Sequence, residues 1–300
     1  MTEKQTFHKT VLVQEVLEYL DPKPGHVYLD VTFGSGGHTR AILEREPKCS
    51  VIAMDWDQVA LDTYGPALKE EFGDRLTLVW GNFALLYKIV REHKFGRIDG
   101  ILADFGTSQI QIINRPGFSV HRDTALDMRM SPAHQKITAA ELLNKSTEEK
   151  LREIFWQFGQ ERNARQIAAA IVQERTIKPF RTTSQLAELI ARVSPNKNRR
   201  IHPATQVFQA LRIFVNKELD NISAFLAAAT STLHEHGRLV CISFHSLEDR
   251  LVKQFFKEKE KEDILTILTP HMVSASEEEL INNPSSRSAC LRAAEKKGEL

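Results

Sequence analysis

The chain has 300 residues, of which 42% are hydrophobic and 26% charged, a composition that excludes disordered and fibrous proteins and allows a sizeable core with two lobes. The formal net charge is only +1, yet residues 121–216 hold 16 Lys and Arg against 9 Asp and Glu on a mildly acidic remainder. A basic middle of this kind suggests a polyanionic partner, with a solvated helical surface as the plainer explanation of comparable weight.

In chain order, VLVQEVLEYL at 11–20 has helical spacing and stops at the Pro22 and Pro24 turn. The apolar strand VYLDVTF leads into the glycine-rich run GSGGHT, then into the helix formers TRAILERE. VIAMDWD is a second strand, with acids at its C-terminal end, and a helix begins near Gln58. RLTLVWGNF predicts a third strand, ALLYKIVREH a helix, and GRIDGILADFG a fourth strand. Strands alternating with helices of this length predict βαβ units and a parallel sheet. Residues 117–132 then look like a loop, and 138–192 favour helix almost throughout. The polar, basic break SPNKNRR precedes one or two more helices, up to about residue 233. GRLVCISF predicts a late strand, LEDRLVKQFFKEKEK an amphipathic helix and ILTIL a last strand. The economical arrangement is an α/β doubly wound sheet interrupted after its fourth strand by a helical insert.

Cys49, Cys241 and Cys290 form no CxxC pair, so they are expected to be reduced thiols of a cytoplasmic protein and no metal site is expected. The polar first ten residues resemble neither a signal nor a transit peptide. No apolar run approaches the roughly 20 residues that span a bilayer, so no membrane partner is expected.

Gly34, Gly36 and Gly37 lie where a strand turns into a helix, a place where backbone can approach a ligand closely. The run FGSGGHT lacks the dinucleotide spacing GxGxxG, and a glycine cluster alone is more often a plain turn. Asp55 strengthens the case, because an acid about 20 residues further on, ending the next strand, suits ribose hydroxyls. Asp30, just before the turn, would repel a pyrophosphate and attract the cationic groups of S-adenosylmethionine, so the methyl donor is favoured over NAD. Phe83, in GNF after the third strand, is a candidate adenine platform and equally a core aromatic. Asp104 ends the fourth strand on the side where such sheets hold ligands, with an N-cap as its plain alternative. An amine conjugated to a ring is a poor nucleophile, and a carboxylate accepting its N–H would localise the lone pair.

The chain resembles the RsmH (MraW) family of small-subunit ribosomal RNA methyltransferases along almost its full length. The resemblance runs through HKTVLVQEVLEYL, DVTFGSGGHT, DGILADFGTS, LDMRM, IHPATQVFQALRIFVNKEL, GRLVCISFHSLEDRLVK and SRSACLRAAE. It implies a class I S-adenosylmethionine-dependent (Rossmann-like) sheet with an inserted helical domain. The expected division is 1–115 and 211–300 for the core, with 116–210 as the substrate-recognition insert. It also implies methylation of a cytidine N4 in the decoding region of 16S rRNA within the small subunit, with a homodimer admitted as an arrangement. By motif position the cofactor contacts fall on Gly36, Gly37, His38, Asp55, Phe83, Asp104 and Gln111, and Asp104 is the catalytic candidate.

The chain departs from the family pattern at Gln109, Ile113 and Cys290, and in a shortened segment before Gly117. These changes fall on the target side and leave the cofactor half intact. Lys197, Arg199, Arg200 and Arg212 are candidate phosphate contacts, against a solvated face, and Phe118 is a candidate stacking platform, against a core role. A target amine held in a base pair would have to be exposed first. His245 and His202 are expected to be structural, and Asp127 and Arg129 to form an internal ion pair. Two other classes compete: a nicotinamide-dependent oxidoreductase, which Asp30 disfavours, and a non-catalytic RNA-binding assembly factor, which Gly36, Gly37 and Asp55 disfavour.

Overall fold

Parallel pairing of five apolar strands organises the first of two units in the computed structural model, which describes residues 9–106, 115–194 and 202–298. That unit comprises Met1–Gly106 and Leu219–Leu300, and the second comprises Thr107–Glu218. Strands β1 (Val27–Asp30), β2 (Ser50–Asp55), β3 (Leu76–Trp80), β4 (Gly100–Asp104) and β5 (Arg238–Ser243) pair in parallel, in the order β3-β2-β1-β4-β5. Beyond β5 the sheet continues with β6 (Leu265–Ile267), β7 (Val273–Ser274) and β8 (Cys290–Lys296), with β8 antiparallel to β5 and paired with both short strands.

The central strands are buried in unbroken runs because both faces are covered. Leu29, Ile101, Ala103, Leu239 and Cys241 join one apolar cluster, while Tyr28, Leu102, Val240 and Ile242 join the other. This two-residue alternation is the pleat of a sheet packed on both sides. Helices α1 (Val13–Leu20), α2 (Gly37–Arg45), α3 (Gln58–Phe72) and α4 (Leu86–Glu92) belong to the first half of this unit. Strand order reverses between β1 and β4, and a crevice for ligands opens at such a switch, beyond the strands' carboxyl ends.

The second unit is helical: α5 (Ala139–Lys145), α6 (Glu148–Gly159), α7 (Ala164–Ile177), α8 (Thr183–Val193) and α9 (Thr205–Asn216). Thr138 and Thr182 open α5 and α8 with capping boxes completed by Glu141 and Gln185, which satisfies backbone donors that the first turns leave free. Leu143, Leu151, Phe155, Ile167, Ile171, Leu186, Ile190, Val207 and Leu211 form its own buried core. The chain re-enters the first unit through α10 (Glu218–Thr232), followed later by α11 (Ser246–Lys261) and α12 (Glu277–Asn282). Among the described residues no helix is long and apolar enough to cross a membrane.

Two sequence expectations change. The division at 210 would cut α9, but Val207, Phe208, Leu211 and Val215 all belong to the helical core, so the whole helix goes with the second unit. Strand β8 was not foreseen, because CLRAAEK is rich in residues that favour helix. Pairing to β5 on one side and to β6 and β7 on the other overrides that preference.

The loop before α5 is clamped from α9. Fully buried Asn216 donates through Nδ2 to the Met128 and Arg212 carbonyls, at 2.8 and 2.9 Å, and accepts the Met130 N–H at 2.8 Å. This holds Met128 in the left-handed region, at φ 63°. Asp127 and Arg129 flank it and pair through two side-chain bonds of 2.7 and 2.8 Å, the internal ion pair read from LDMRM. Asn216→Ala leaves those backbone groups unsatisfied, and urea denaturation is expected to show a loss of about 2–4 kcal/mol. A change within about 0.5 kcal/mol would contradict the clamp.

Candidate active site

Three strands around the switch end on an acid: β1 on Asp30, β2 on Asp55 and β4 on Asp104. Asp30 and Asp55 take part in the turns that follow their strands, by accepting the N–H groups of Thr32 and Asp57. Asp30 is fully buried; it accepts the Thr32 N–H at 3.1 Å and the Thr39 hydroxyl at 2.7 Å. Thr32 in turn accepts the Asp104 N–H at 2.7 Å, tying the end of β1 to the end of β4. Asp55 accepts the Gly34 N–H and the Asp57 N–H, each at 2.8 Å, one on each oxygen. Each oxygen retains a lone pair for a further donor.

Gly36 sits at φ 80°, where a side chain is strained, and a Cβ there would fall 2.8 Å from Leu68 and 2.9 Å from Phe33. At Gly37 a Cβ would fall 1.7 Å from the Thr10 hydroxyl. The chain's own packing therefore accounts for both glycines without a ligand. His38, 4% exposed, opens α2 together with them. Its Nε2 lies 2.9 Å from the Val11 carbonyl, an acceptor only, so Nε2 carries the hydrogen and Nδ1 faces Asp104 Oδ2 at 3.9 Å. Burial holds this imidazole below its usual pKa, against the pull of Asp30, and leaves Nδ1 a bare acceptor.

The Asp104 side chain is 20% exposed, yet its Oδ1 is sealed from solvent and has no hydrogen-bond partner among the described residues. Burial, then the charges of Asp30 and Glu248, push its pKa well above the ordinary carboxylate range. Asp30 is raised by burial too, and Asp55 is pushed up to about 7 for the same reason. Asn82 caps the turn at Phe83 by accepting the Ala84 N–H at 2.9 Å. Half-buried Phe83 packs against Trp56, Phe105 and Phe225, with ring centroids 5.6–6.3 Å apart. It is a partly buried aromatic packed against the core.

Sequence reasoning missed the two threonines that fix Asp30 and missed Glu248. Glu248 is fully buried and its Oε2 accepts the N–H groups of Phe244 and His245, at 2.8 and 3.2 Å. The signal was available: His245 and Glu248 stand three apart, as in a capping box, and His245 caps α11 as a structural residue. In the second unit Phe118 is half-buried beside Gly117. Arg212, expected on phosphate, makes two 2.9 Å bonds to Glu218, a largely buried pairing that argues against that contact. Gln111, Lys197, Arg199 and Arg200, and the departures at Gln109 and Ile113, lie outside the described residues. Cys290 begins β8 with its thiol raised by burial.

Buried acids that gather around a bare imidazole acceptor, with an unpartnered carboxyl oxygen among them, suit a cationic ligand. The MraW methylase family profile matches residues 5–297. The chain is 46% identical to a ribosomal RNA small subunit methyltransferase H of Thermomicrobium roseum over 97% of this chain and 94% of that one. It is 45% identical to the protein of the same name from Desulfotalea psychrophila, over 97% and 99%. The chain belongs to the MraW methylase family. It has the class I methyltransferase sheet, and its methyl donor is S-adenosylmethionine.

Because Asp55 has a higher pKa in the folded protein than in the unfolded chain, ionising it favours unfolding. Its contribution to stability is complete below about pH 4 and is lost as pH rises toward about 7. Asp55→Asn is expected to flatten that part of a melting-temperature profile, and an unchanged slope would contradict the assignment.

Proposed function

We propose that the chain methylates the N4 amine of a cytidine in the decoding region of 16S rRNA, in the cytoplasm and on a small-subunit particle. The relatives' names support ribosomal RNA of the small subunit as substrate. The observation that carries the chemistry is the sealed Asp104 Oδ1, at the end of β4 and within the field of Asp30.

S-adenosylmethionine supplies a methyl group on a positively charged sulfur, ready for in-line transfer without metal or covalent enzyme intermediate. Asp30 provides the negative field that attracts this charge, Asp104 faces the bound sulfonium, and Asp55 takes the ribose hydroxyls on its remaining lone pairs. Phe83, only partly buried, packs on the adenine. Gly36, Gly37 and His38 bring the backbone and the bare Nδ1 to the amino acid end of the donor, with Gln111, seven residues after Asp104 in the sequence, as a further contact. Asp104 accepts an N–H of the target amine, which localises the nitrogen lone pair and aims it at the methyl group. The helical unit, with its excess of basic residues, recognises the RNA. Lys197, Arg199 and Arg200 neutralise phosphates and Phe118 stacks on a base. A pyrophosphate-bearing nicotinamide cofactor fits this acidic site poorly.

Nucleoside mass mapping of small-subunit rRNA from cells with and without the protein is expected to lose one N4-methylcytidine, and an unchanged level would overturn the substrate. Asp104→Ala is expected to lower turnover by at least about 100-fold, whereas near-normal turnover would remove Asp104 from the mechanism.

A further inference from the structure

The crevice holds more carboxyl groups than can ionise side by side. Asp104 is faced by Asp30 from β1 and by Glu248 from the first turn of α11. From α2 it is faced by His38, whose Nδ1 lone pair makes another acceptor 3.9 Å away. Asp55 from β2 acts on Asp30, and Glu279 from α12 acts on His38. His245 stands 3.2 Å from Glu248, between its Nε2 and the Glu248 Oε1. Among the described residues no Lys or Arg pairs with Asp30 or Asp104, and Asp104 Oδ1 has no donor. Glu248 is fixed by its two backbone N–H bonds at a helix N-terminus, where negative charge is favoured. Asp104 has no such support. When neighbouring carboxyls share a site, the least supported one keeps a proton.

We propose that Asp104 holds a proton in the free enzyme, surrenders it to solvent when S-adenosylmethionine binds, and regains one from the target amine during methyl transfer. Glu248, acting through Asp104, is the positioning residue that keeps the resting proton in place. The inference rests on the donor and the Asp104 role proposed above. The balance closes: the methyl carbon–nitrogen bond forms as the methyl–sulfur bond breaks, with the bonding pair left on sulfur. The amine nitrogen, now positive, passes its N–H proton to the Asp104 carboxylate. Both products then leave uncharged at the reacting atoms, and Asp104 is protonated as it began. The single proton that methylation generates thus reaches solvent at cofactor binding, before any chemistry. Loss of the sulfonium charge also removes what held Asp104 ionised, which favours release of the spent cofactor.

Calorimetric titration of the full chain near neutral pH, in buffers of different ionisation enthalpy, counts the protons exchanged on binding. Release of about one proton is expected with S-adenosylmethionine and close to none with S-adenosylhomocysteine, which lacks the positive sulfur. Glu248→Gln keeps an oxygen for the Phe244 and His245 N–H groups and removes the charge. It is expected to release less than about half as much and to move the midpoint of release to lower pH. Binding of both ligands with equal proton exchange would overturn the proposal, even if Glu248→Gln failed to fold. Unchanged release in a folded Glu248→Gln would remove Glu248 from it. Failure of S-adenosylmethionine to bind at all would instead overturn the donor assignment, and this inference with it.

Discussion

The cost of burying carboxylates without cations governs the site. Asp30, Asp55 and Asp104 end three neighbouring strands of a sheet covered on both faces, so none can turn fully to water. The fold meets part of that cost with backbone and hydroxyl donors: Gly34 and Asp57 on Asp55, Thr32 and Thr39 on Asp30. Among the described residues it leaves Asp104 Oδ1 without one. In the proposed reading a positively charged nucleoside completes what these groups leave unpaired, so the same deficit would select the ligand.

The glycine turn matters less directly than its sequence suggests. Gly36 and Gly37 are required by the left-handed turn, by Phe33 and Leu68, and by Thr10 packed over the start of α2. Their smallness lets α2 begin close under β1, and that brings Thr39 to Asp30 and His38 to Asp104. On the proposed function, specificity for a cation would reside in these side chains, while the turn supplies position.

Much of the sheet was legible because apolar runs of four to six residues end at an acid and are followed by helix formers. Asp30, Asp55 and Asp104 could be chosen from the sequence because each stands at such an ending. What was hidden depends on contacts distant in sequence. Strand β8 is held by β5 through partners such as Arg238 and Glu295, 57 residues apart, and its Arg292 is nearly buried against Asp249. Asn216 reaches back to Met128 and Met130 from the end of α9, and nothing in its local sequence distinguishes it from a surface amide. Arg212 looked like a surface cation until Glu218, six residues on, was seen to pair with it. Charge counts along the chain cannot separate basic residues that meet solvent from those already neutralised within the fold.

Recognition of charge by Asp30 is the claim on which the rest stands. Binding of S-adenosylmethionine and of S-adenosylhomocysteine to the parent chain and to Asp30→Asn, measured side by side, tests it most directly. The account predicts at least about a tenfold loss for the charged ligand, ~1.4 kcal/mol, and little change for the uncharged one. Equal weakening of the two would contradict it.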